Sequence, residues 1–260
     1  IVHPTPNTNF IPIDFCVGVQ DTLFDNSDLD TLTCVSNIID SINDRLWEVL
    51  PPAGSWTQAG SGIDLIYTFP TAGLWKVRLT CTSVFFCDST AEYDILVHDL
   101  PQAGFTSTSN PSCIDDNVVF NGNTGISGGS TNSSTGVINE WDWDFNDSYC
   151  TTLPACSLFN STDGDANHTY TSHVGSPYNV TLTVNDNNGC ISLPTTNPIF
   201  VDPLPTASFT ATTECLDTLT QLDGTSSSSS TDTWSWRIYD PQESPNGYVD
   251  QTTTTPSHNY

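Results

Sequence analysis

The 260 residues suffice for one large domain or two to three small ones, and 36% apolar with 10% aromatic residues supply real cores, which excludes a wholly disordered chain. Thirty acidic residues against four basic ones (Arg45, Lys76, Arg78, Arg237) leave a formal charge of −26 and no basic patch, which excludes nucleic-acid binding and attraction to anionic lipid. No apolar run reaches the ~18–20 residues that span a bilayer, so no direct membrane insertion is expected.

The chain opens on "IVHPTPNTNF" at 1–10, without Met or a signal-peptide pattern, as expected of a mature or excised segment. Here Val2 lies four residues before Pro6 and Phe10 four after it, and Cys16 follows. The segment "SNIIDSINDRLWEVL" at 36–50 spaces Ile38, Ile39, Ile42, Leu46 and Val49 as on a helix, with Ser36 placed to cap it. From Leu46 onward the alternation in "LWEV" predicts a strand instead, with Trp47 inward. Next, "YTFPTAGLWKVRLTC" at 67–81 is an aromatic, a Gly-containing turn and a period-2 run, Trp75/Val77/Leu79. Such alternation predicts a strand with one buried face. Cys87 follows it.

The opening pattern returns in "LVHDLPQAGF" at 96–105, with Val97, Pro101 and Phe105, then Cys113. A Gly/Ser/Asn/Thr-rich stretch at 121–139 reads as a loop. Within it "GISGG" formally matches a nucleophile elbow around Ser127, but that motif needs a strand before it and a helix after it, so the match is chance. In "WDWDFNDSYC" at 141–150 the two-residue period puts Trp141, Trp143 and Phe145 on an inner face and Asp142 and Asp144 on the outer one. Carboxylates alternating on one solvated face lack the differing environments that separate a catalytic acid from a base. "HTYTSHVGSPYNVTLTV" at 168–184 then repeats the aromatic, turn and strand, with Tyr178/Val180/Leu182/Val184 inward and Cys190 following. The third start is "FVDPLPTASF" at 200–209, with Val201, Pro205 and Phe209, and then Cys215. A loop, "TSSSSSTDT" at 225–233, precedes "WSWRI", where Trp236 takes the place of Trp47 and Trp143, and the sequence runs on to "SHNY".

Pro6, Pro101 and Pro205 thus recur at the roughly 100-residue spacing of a β-sandwich module. The expected organisation is the last strand of a preceding repeat at 1–5, repeats at 6–100 and 101–204, and an incomplete repeat at 205–260. The motifs "WDWDFND" and "HTYTSHVGSPYNVTLTVNDNNGC" resemble the PKD domain, the immunoglobulin-like module named after polycystic kidney disease. The likeness is close over 101–204. It is looser in the first repeat, where "LWEVLPPAG" replaces the acidic turn and "YTF" replaces "HTY", and in the third, which has "WSWRIYD". The resemblance implies an all-β fold of tandem Ig-like antiparallel β-sandwiches in a rod-like array, with Trp47, Trp143 and Trp236 as core aromatics.

Nine cysteines without a C-x-x-C pair or zinc-spaced histidines predict disulfides and an oxidising compartment. Aligning the repeats predicts Cys16–Cys87 and Cys113–Cys190 as equivalent bridges from the start of each repeat to its end. Cys34–Cys81 would be a second bridge in the first repeat, Cys150–Cys156 would close a small loop, and Cys215 would pair beyond Tyr260, since both ends of the segment read as cut inside repeats. Oxygen-rich "DFNDS" and "DGDAN" make Asp144, Asp147, Asp163 and Asp165 calcium candidates, although neither stretch has EF-hand spacing. No other cofactor is expected. Among the five histidines (His3, His98, His168, His173, His258), His168 and His258 share the repeated H-x-Y position of a structural hydrogen bond. No nucleophile, base and orienter assemble, so no enzymatic role is expected. Five N-x-S/T sequons (Asn132, Asn146, Asn160, Asn167, Asn179) fit an exported chain. The tripeptides "DTL" and "DSI" resemble the O-glycosylation signal of Bacteroidota, which marks Thr22, Thr31, Ser41 and Thr218 as acceptors.

These features resemble the repeat arrays of Bacteroidota surface adhesins, of which gliding-motility adhesins exported by type IX secretion are an example. The resemblance implies an extracellular, cell-surface segment of a long multi-repeat filament, stiffened by short Pro-containing joins. Its partners would be neighbouring repeats of the same chain and surface polysaccharide or other cell-surface proteins. The competing expectation is an accessory, substrate-binding or spacer module of a secreted hydrolase. That role would require aromatics exposed on a flat outer face, for which Trp56, Phe85 and Phe86 are the candidates.

Overall fold

The computed structural model describes residues 3–29, 41–125, 127, 129–148, 158–215, 218–227, 233–240, 248–253 and 255–259. Every regular element among these residues is a β-strand. The chain forms two compact units, Ile1–Phe200 and Val201–Tyr260.

Unit 1 holds two sandwiches in tandem. In the first, a five-stranded sheet runs in the order Phe15–Cys16, Asp88–His98, Gly73–Ser83, Ile42–Leu50, Thr57–Gly60. Facing it, Gln20–Leu23 pairs with Leu65–Thr68. The alternation read in the sequence is realised along Gly73–Ser83, whose residues at every second position from Trp75 are buried. Trp75, Val77 and Leu79 meet Trp47, Val49, Ile95 and Val97 from the neighbouring strands. Phe10, Leu23, Leu65 and Phe69 close the core from the other side.

The helical spacing noted at 36–50 does not produce a helix in the described part. Ile42–Leu50 is a strand, paired antiparallel with Gly73–Ser83 from Ile42↔Ser83 to Leu50↔Lys76. Residues 36–40 lie outside the described residues. Burial explains the outcome: Trp47 and Val49, two apart, are 0% and 1% exposed, and only an extended backbone points both into one core.

The second sandwich repeats the plan. Leu158–Ser161, Ile138–Asp144, Tyr178–Asp186 and Thr195–Ile199 form one sheet in that order, and Thr106–Ser107, Asn117–Asn121 and Asp165–Thr169 form the other. Trp141, Trp143 and Phe145 are all buried, while Asp142 and Asp144 lie on the opposite face. The two indoles and the phenyl ring therefore serve as core, as the two-residue period predicts.

Unit 2 contains Leu219–Asp223 between Thr210–Ala211 and Ser257–Asn259, and separately Trp236–Tyr239 paired with Tyr248–Gln251. Trp236 departs from the expectation of a core aromatic. It is only partly buried, because among the described residues no strand lies beside it as Gly73–Ser83 lies beside Trp47.

Candidate functional site: the bridged junction of two sandwiches

Two small turns recur and set the landmarks of this site. After Cys16 the chain reverses through Gly18, at φ +74°, so that the Val19 N–H donates to the Cys16 carbonyl at 3.2 Å. After Cys113 it does the same through Asp115, at φ +66°, with the Asp116 N–H on the Cys113 carbonyl at 3.3 Å. The Thr218 N–H likewise donates to the Cys215 carbonyl at 3.0 Å. The second turn precedes the other cysteines. The Ser83 N–H donates to the Cys87 carbonyl at 2.9 Å, and the Asp186 N–H to the Cys190 carbonyl at 3.0 Å. Each has a left-handed residue just before the cysteine, Phe86 at φ +61° and Gly189 at φ +80°. Cys16, Cys113 and Cys215 are thus one position of the repeat, and Cys87 and Cys190 are another.

The structure joins Cys16 to Cys190, with Cα atoms 5.6 Å apart and a sequence separation of 174. This corrects the expected Cys16–Cys87 and Cys113–Cys190 bridges; Cys87 and Cys113 are free thiols. The reason lies in strand length. Cys16 pairs with His98 at the last residue of Asp88–His98, whereas Cys87 lies just before its first. Eleven residues at about 3.3 Å each put the two cysteines at opposite ends of the sandwich, roughly 33 Å apart. The start cysteine sits where the chain leaves its own sandwich, so it meets the last turn of the next one. Cys34–Cys81 is also corrected: Cys81 is a buried free thiol with its Sγ 3.4 Å from the Ser27 hydroxyl. Cys34 and the expected Cys150–Cys156 bridge lie outside the described residues. Cys215 is exposed and free.

Polar contacts surround the bridge. His98 Nδ1 lies 2.9 Å from the Thr135 hydroxyl, its Nε2 is 3.6 Å from Asp14, and the Ser134 hydroxyl donates to Asp99. The segment carrying Ser134 and Thr135 is braced on the cysteine turn: the Ser133 hydroxyl donates to Asp186 at 3.1 Å, and the Asn188 amide to the Thr135 carbonyl at 3.1 Å. Asp186 also accepts the N–H groups of Asn188 and Cys190 at 3.0 and 2.9 Å. The Gly/Ser-rich stretch that reads as a loop in the sequence is therefore the contact surface of the junction. Ser127 within it is exposed and in a turn, so the nucleophile-elbow match has no strand–turn–helix context. The sequence reading missed Asp14, Asp99, Thr135 and Asp186, and the one usable signal was the clustering of short polar side chains there.

A second polar feature repeats inside the cores. His168 Nε2 meets Asp147 Oδ2 at 3.0 Å, with side chains 3% and 1% exposed. His258 meets Asp240 at 2.8 Å in unit 2. Phe145 stacks on the His168 ring at 4.5 Å, and Tyr170 abuts its edge. In the first sandwich the corresponding positions are Tyr67 and Pro51, so both halves of the pair are replaced together. Phe69 and Tyr170 correspond as well, since their carbonyls accept the N–H groups of Gly18 and Asp115 in the two start turns, both at 2.9 Å.

Burial pushes the Tyr170 phenol far above its ordinary range, and the Asp147 carboxylate adds to the shift. The folded chain keeps this proton where the unfolded chain loses it, above pH ~10. Stability then falls as pH rises, by up to about 1.4 kcal/mol per pH unit, and this group contributes no slope below pH ~10. Tyr170→Phe, the residue type that the first sandwich uses here, is expected to abolish that slope in urea unfolding above pH ~10. An unchanged slope would show that Tyr170 is not the source.

The four acidic candidates for calcium are occupied differently. Asp147 is committed to His168. Asp144 accepts the Asn146 N–H at 2.8 Å, Asp165 accepts the Asn123 amide at 3.0 Å, and Asp163 accepts the Ser161 hydroxyl at 2.7 Å. That hydroxyl is the main cause of Asp163's lowered pKa. Among the described residues no three His, Cys, Asp or Glu side chains gather as metal ligands. All four basic residues are engaged in ion pairs, Arg45 with Asp25, Lys76 with Glu92 and Asp94, Arg78 with Glu48, and Arg237 with Asp250. Of the glycan acceptors, Ser41 and Thr218 are exposed, Thr22 is half-buried on Gln20–Leu23, and Thr31 lies outside the described residues. Trp56 is covered by the Arg78 guanidinium at 4.2 Å. Phe86 is 87% exposed, and Phe85 stacks on His3.

Residues 109–201 match the family described as PKD domain. A comparison with curated proteins finds no match. Among solved structures, the I-band fragment I67–I69 from titin is similar at 11% identity and a TM-score of 0.40, covering 92% of this chain and 81% of that one. Fibronectin(III)-like modules of Clostridium thermocellum CbhA align at 12% identity and a TM-score of 0.35, covering 76% and 95%. A structure concerned with host cell surface retention of a 1.5-MDa bacterial ice-binding adhesin aligns at 11% identity and a TM-score of 0.35, covering 97% and 88%. With the sheets described above, the family match makes this an all-β chain of tandem Ig-like sandwiches.

Proposed function

We propose that this chain is a structural and adhesive segment of a long extracellular protein built from many such repeats and displayed at a cell surface. The Cys16–Cys190 bridge carries the reading. It ties the start of one sandwich to the last turn of the next, so tension along the chain crosses the junction through a covalent bond instead of through two hydrophobic cores. A joint of this kind suits a tether that bears load. The charge of −26 supports the same role, since it keeps neighbouring filaments solvated and apart. Its partners are then adjacent repeats of the same chain and, at the adhesive surface, polysaccharide or other cell-surface proteins. Export by type IX secretion and a part in gliding motility belong to this proposal, as does glycosylation at Ser41 and Thr218.

Fab fragments raised against the 260-residue chain test it. They are expected to label intact source cells and to reduce attachment or gliding. Labelling only after permeabilisation, or recovery of the parent polypeptide in the medium as part of a hydrolase, would overturn the reading.

A further inference from the structure

Each repeat has a sheet that does not carry the core tryptophan. It pairs Gln20–Leu23 with Leu65–Thr68, Asn117–Asn121 with Asp165–Thr169, and Leu219–Asp223 with Ser257–Asn259. Three matching positions on the outer face of this sheet differ in character between the repeats. In the second sandwich they are Thr106, Asn121 and Asn167, with Thr106 opposite Asn121 and Asn167 opposite Val119. In unit 2 they are Thr210, Asp223 and Ser257, with Thr210 opposite Asp223 and Ser257 opposite Gln221. In the first sandwich they are Ile11, Phe24 and Ile66. There the Ile11 N–H donates to the Phe24 carbonyl at 3.4 Å, and Ile66 lies opposite Thr22.

Ile11, Phe24 and Ile66 are 55%, 57% and 63% exposed. Their chain neighbours Phe10, Leu23 and Leu65 are buried, so the other side of each segment supplies the core. Folding does not call for apolar side chains here, since the other repeats place polar ones at the same positions. The three side chains are contiguous. Phe10 bridges to Asp25, which sets Ile11 beside Phe24, and Ile66 lies diagonally across from Phe24 on the next strand. Asp64, one residue beyond the Leu23–Leu65 pair, stands at the rim, where its carboxylate accepts the Asp25 N–H at 2.9 Å. A contiguous exposed apolar patch of this kind marks an interaction surface.

We propose that this face pairs two copies of the chain, side by side through their first sandwiches. A row with Phe24 at its centre and an isoleucine on either side is self-complementary. A two-fold axis between two such faces sets Phe24 against Phe24, and Ile11 of each copy against Ile66 of the other. Charge selects the same pairing. With −26 on each copy, contacts that bring carboxylates together are repelled, whereas this face meets its twin with carboxylates only at the rim. Such pairing is a property of the first sandwich in solution and does not depend on display at a cell surface.

Sedimentation equilibrium of the 260-residue protein tests this, with Cys87, Cys113 and Cys215 alkylated so that no intermolecular disulfide contributes. A reversible monomer–dimer equilibrium is expected, and salt should strengthen it, because screening removes the repulsion between copies. A variant carrying the second sandwich's residues, Ile11→Thr, Phe24→Asn and Ile66→Asn, is expected to dimerise more than about 100-fold more weakly. An unchanged urea midpoint would show that it is folded; should it not fold, Ile66→Asn alone decides, with an expected loss of about 10-fold. A monomer at every concentration up to about 1 mM, or a dimer that the folded variant retains, would overturn the proposal. So would a monomer that sediments with phosphatidylcholine vesicles through the same three residues, which would assign the face to a lipid surface.

Discussion

Under load applied at its two ends, the reduced protein is expected to extend roughly 600 Å further than the oxidised one. The bridge closes a loop with a sequence separation of 174, and each extended residue spans up to about 3.5 Å. With the bridge intact, force passes from Cys16 directly to Cys190, and only the strands outside the loop can peel away. The chain between the two cysteines, which carries Trp47 and Trp143, is then not drawn out by the load. Reduction, or Cys16→Ser, exposes both cores to it, and unfolding steps for the two sandwiches should appear in single-molecule traces. At equilibrium, chain entropy assigns a loop of this size about 5 kcal/mol of stabilisation against complete unfolding of both sandwiches. Peptide mapping without reduction checks the pairing itself, and alkylation should label Cys87, Cys113 and Cys215 before any reductant is added. Traces of equal length with and without reductant, or a Cys16–Cys87 peptide, would reject this connectivity.

Asp147→Ala should cost about 3 kcal/mol in urea unfolding. The change strips a carboxylate from a histidine that is 3% exposed and cannot turn to water, and a buried partner left behind carries most of the penalty. Replacing both residues should cost less than the sum of the single changes, because the first sandwich folds with Pro51 and Tyr67 at these positions. A double-mutant cycle with His168→Phe is expected to show a coupling of about 1–3 kcal/mol. Additive losses would mean that the two side chains act independently. Asp240→Ala with His258→Phe repeats the test in unit 2, where the pair is 2.8 Å apart.

What the amino-acid sequence determined by itself is local and periodic. The two-residue alternation in "WDWDF" and "NVTLTV" decides which side chains face inward, because successive residues of a strand point to opposite faces whatever surrounds them. The recurring Val, Pro, Phe and Cys landmarks likewise mark where each repeat starts. Periodicity was ambiguous only at 36–50, where long-range pairing with Gly73–Ser83 outweighs helical spacing over the described residues. The tertiary structure alone decided which cysteines meet. Equivalent positions in a repeat say nothing about distance, and an eleven-residue strand carries Cys87 to the far end of the sandwich from Cys16. Stacking the second sandwich on the exit end of the first brings Cys190 there instead, together with the short polar residues around Thr135. The same holds for the pairing of His168 with Asp147, since it depends on which strands lie alongside, a property of the folded arrangement and not of any one segment.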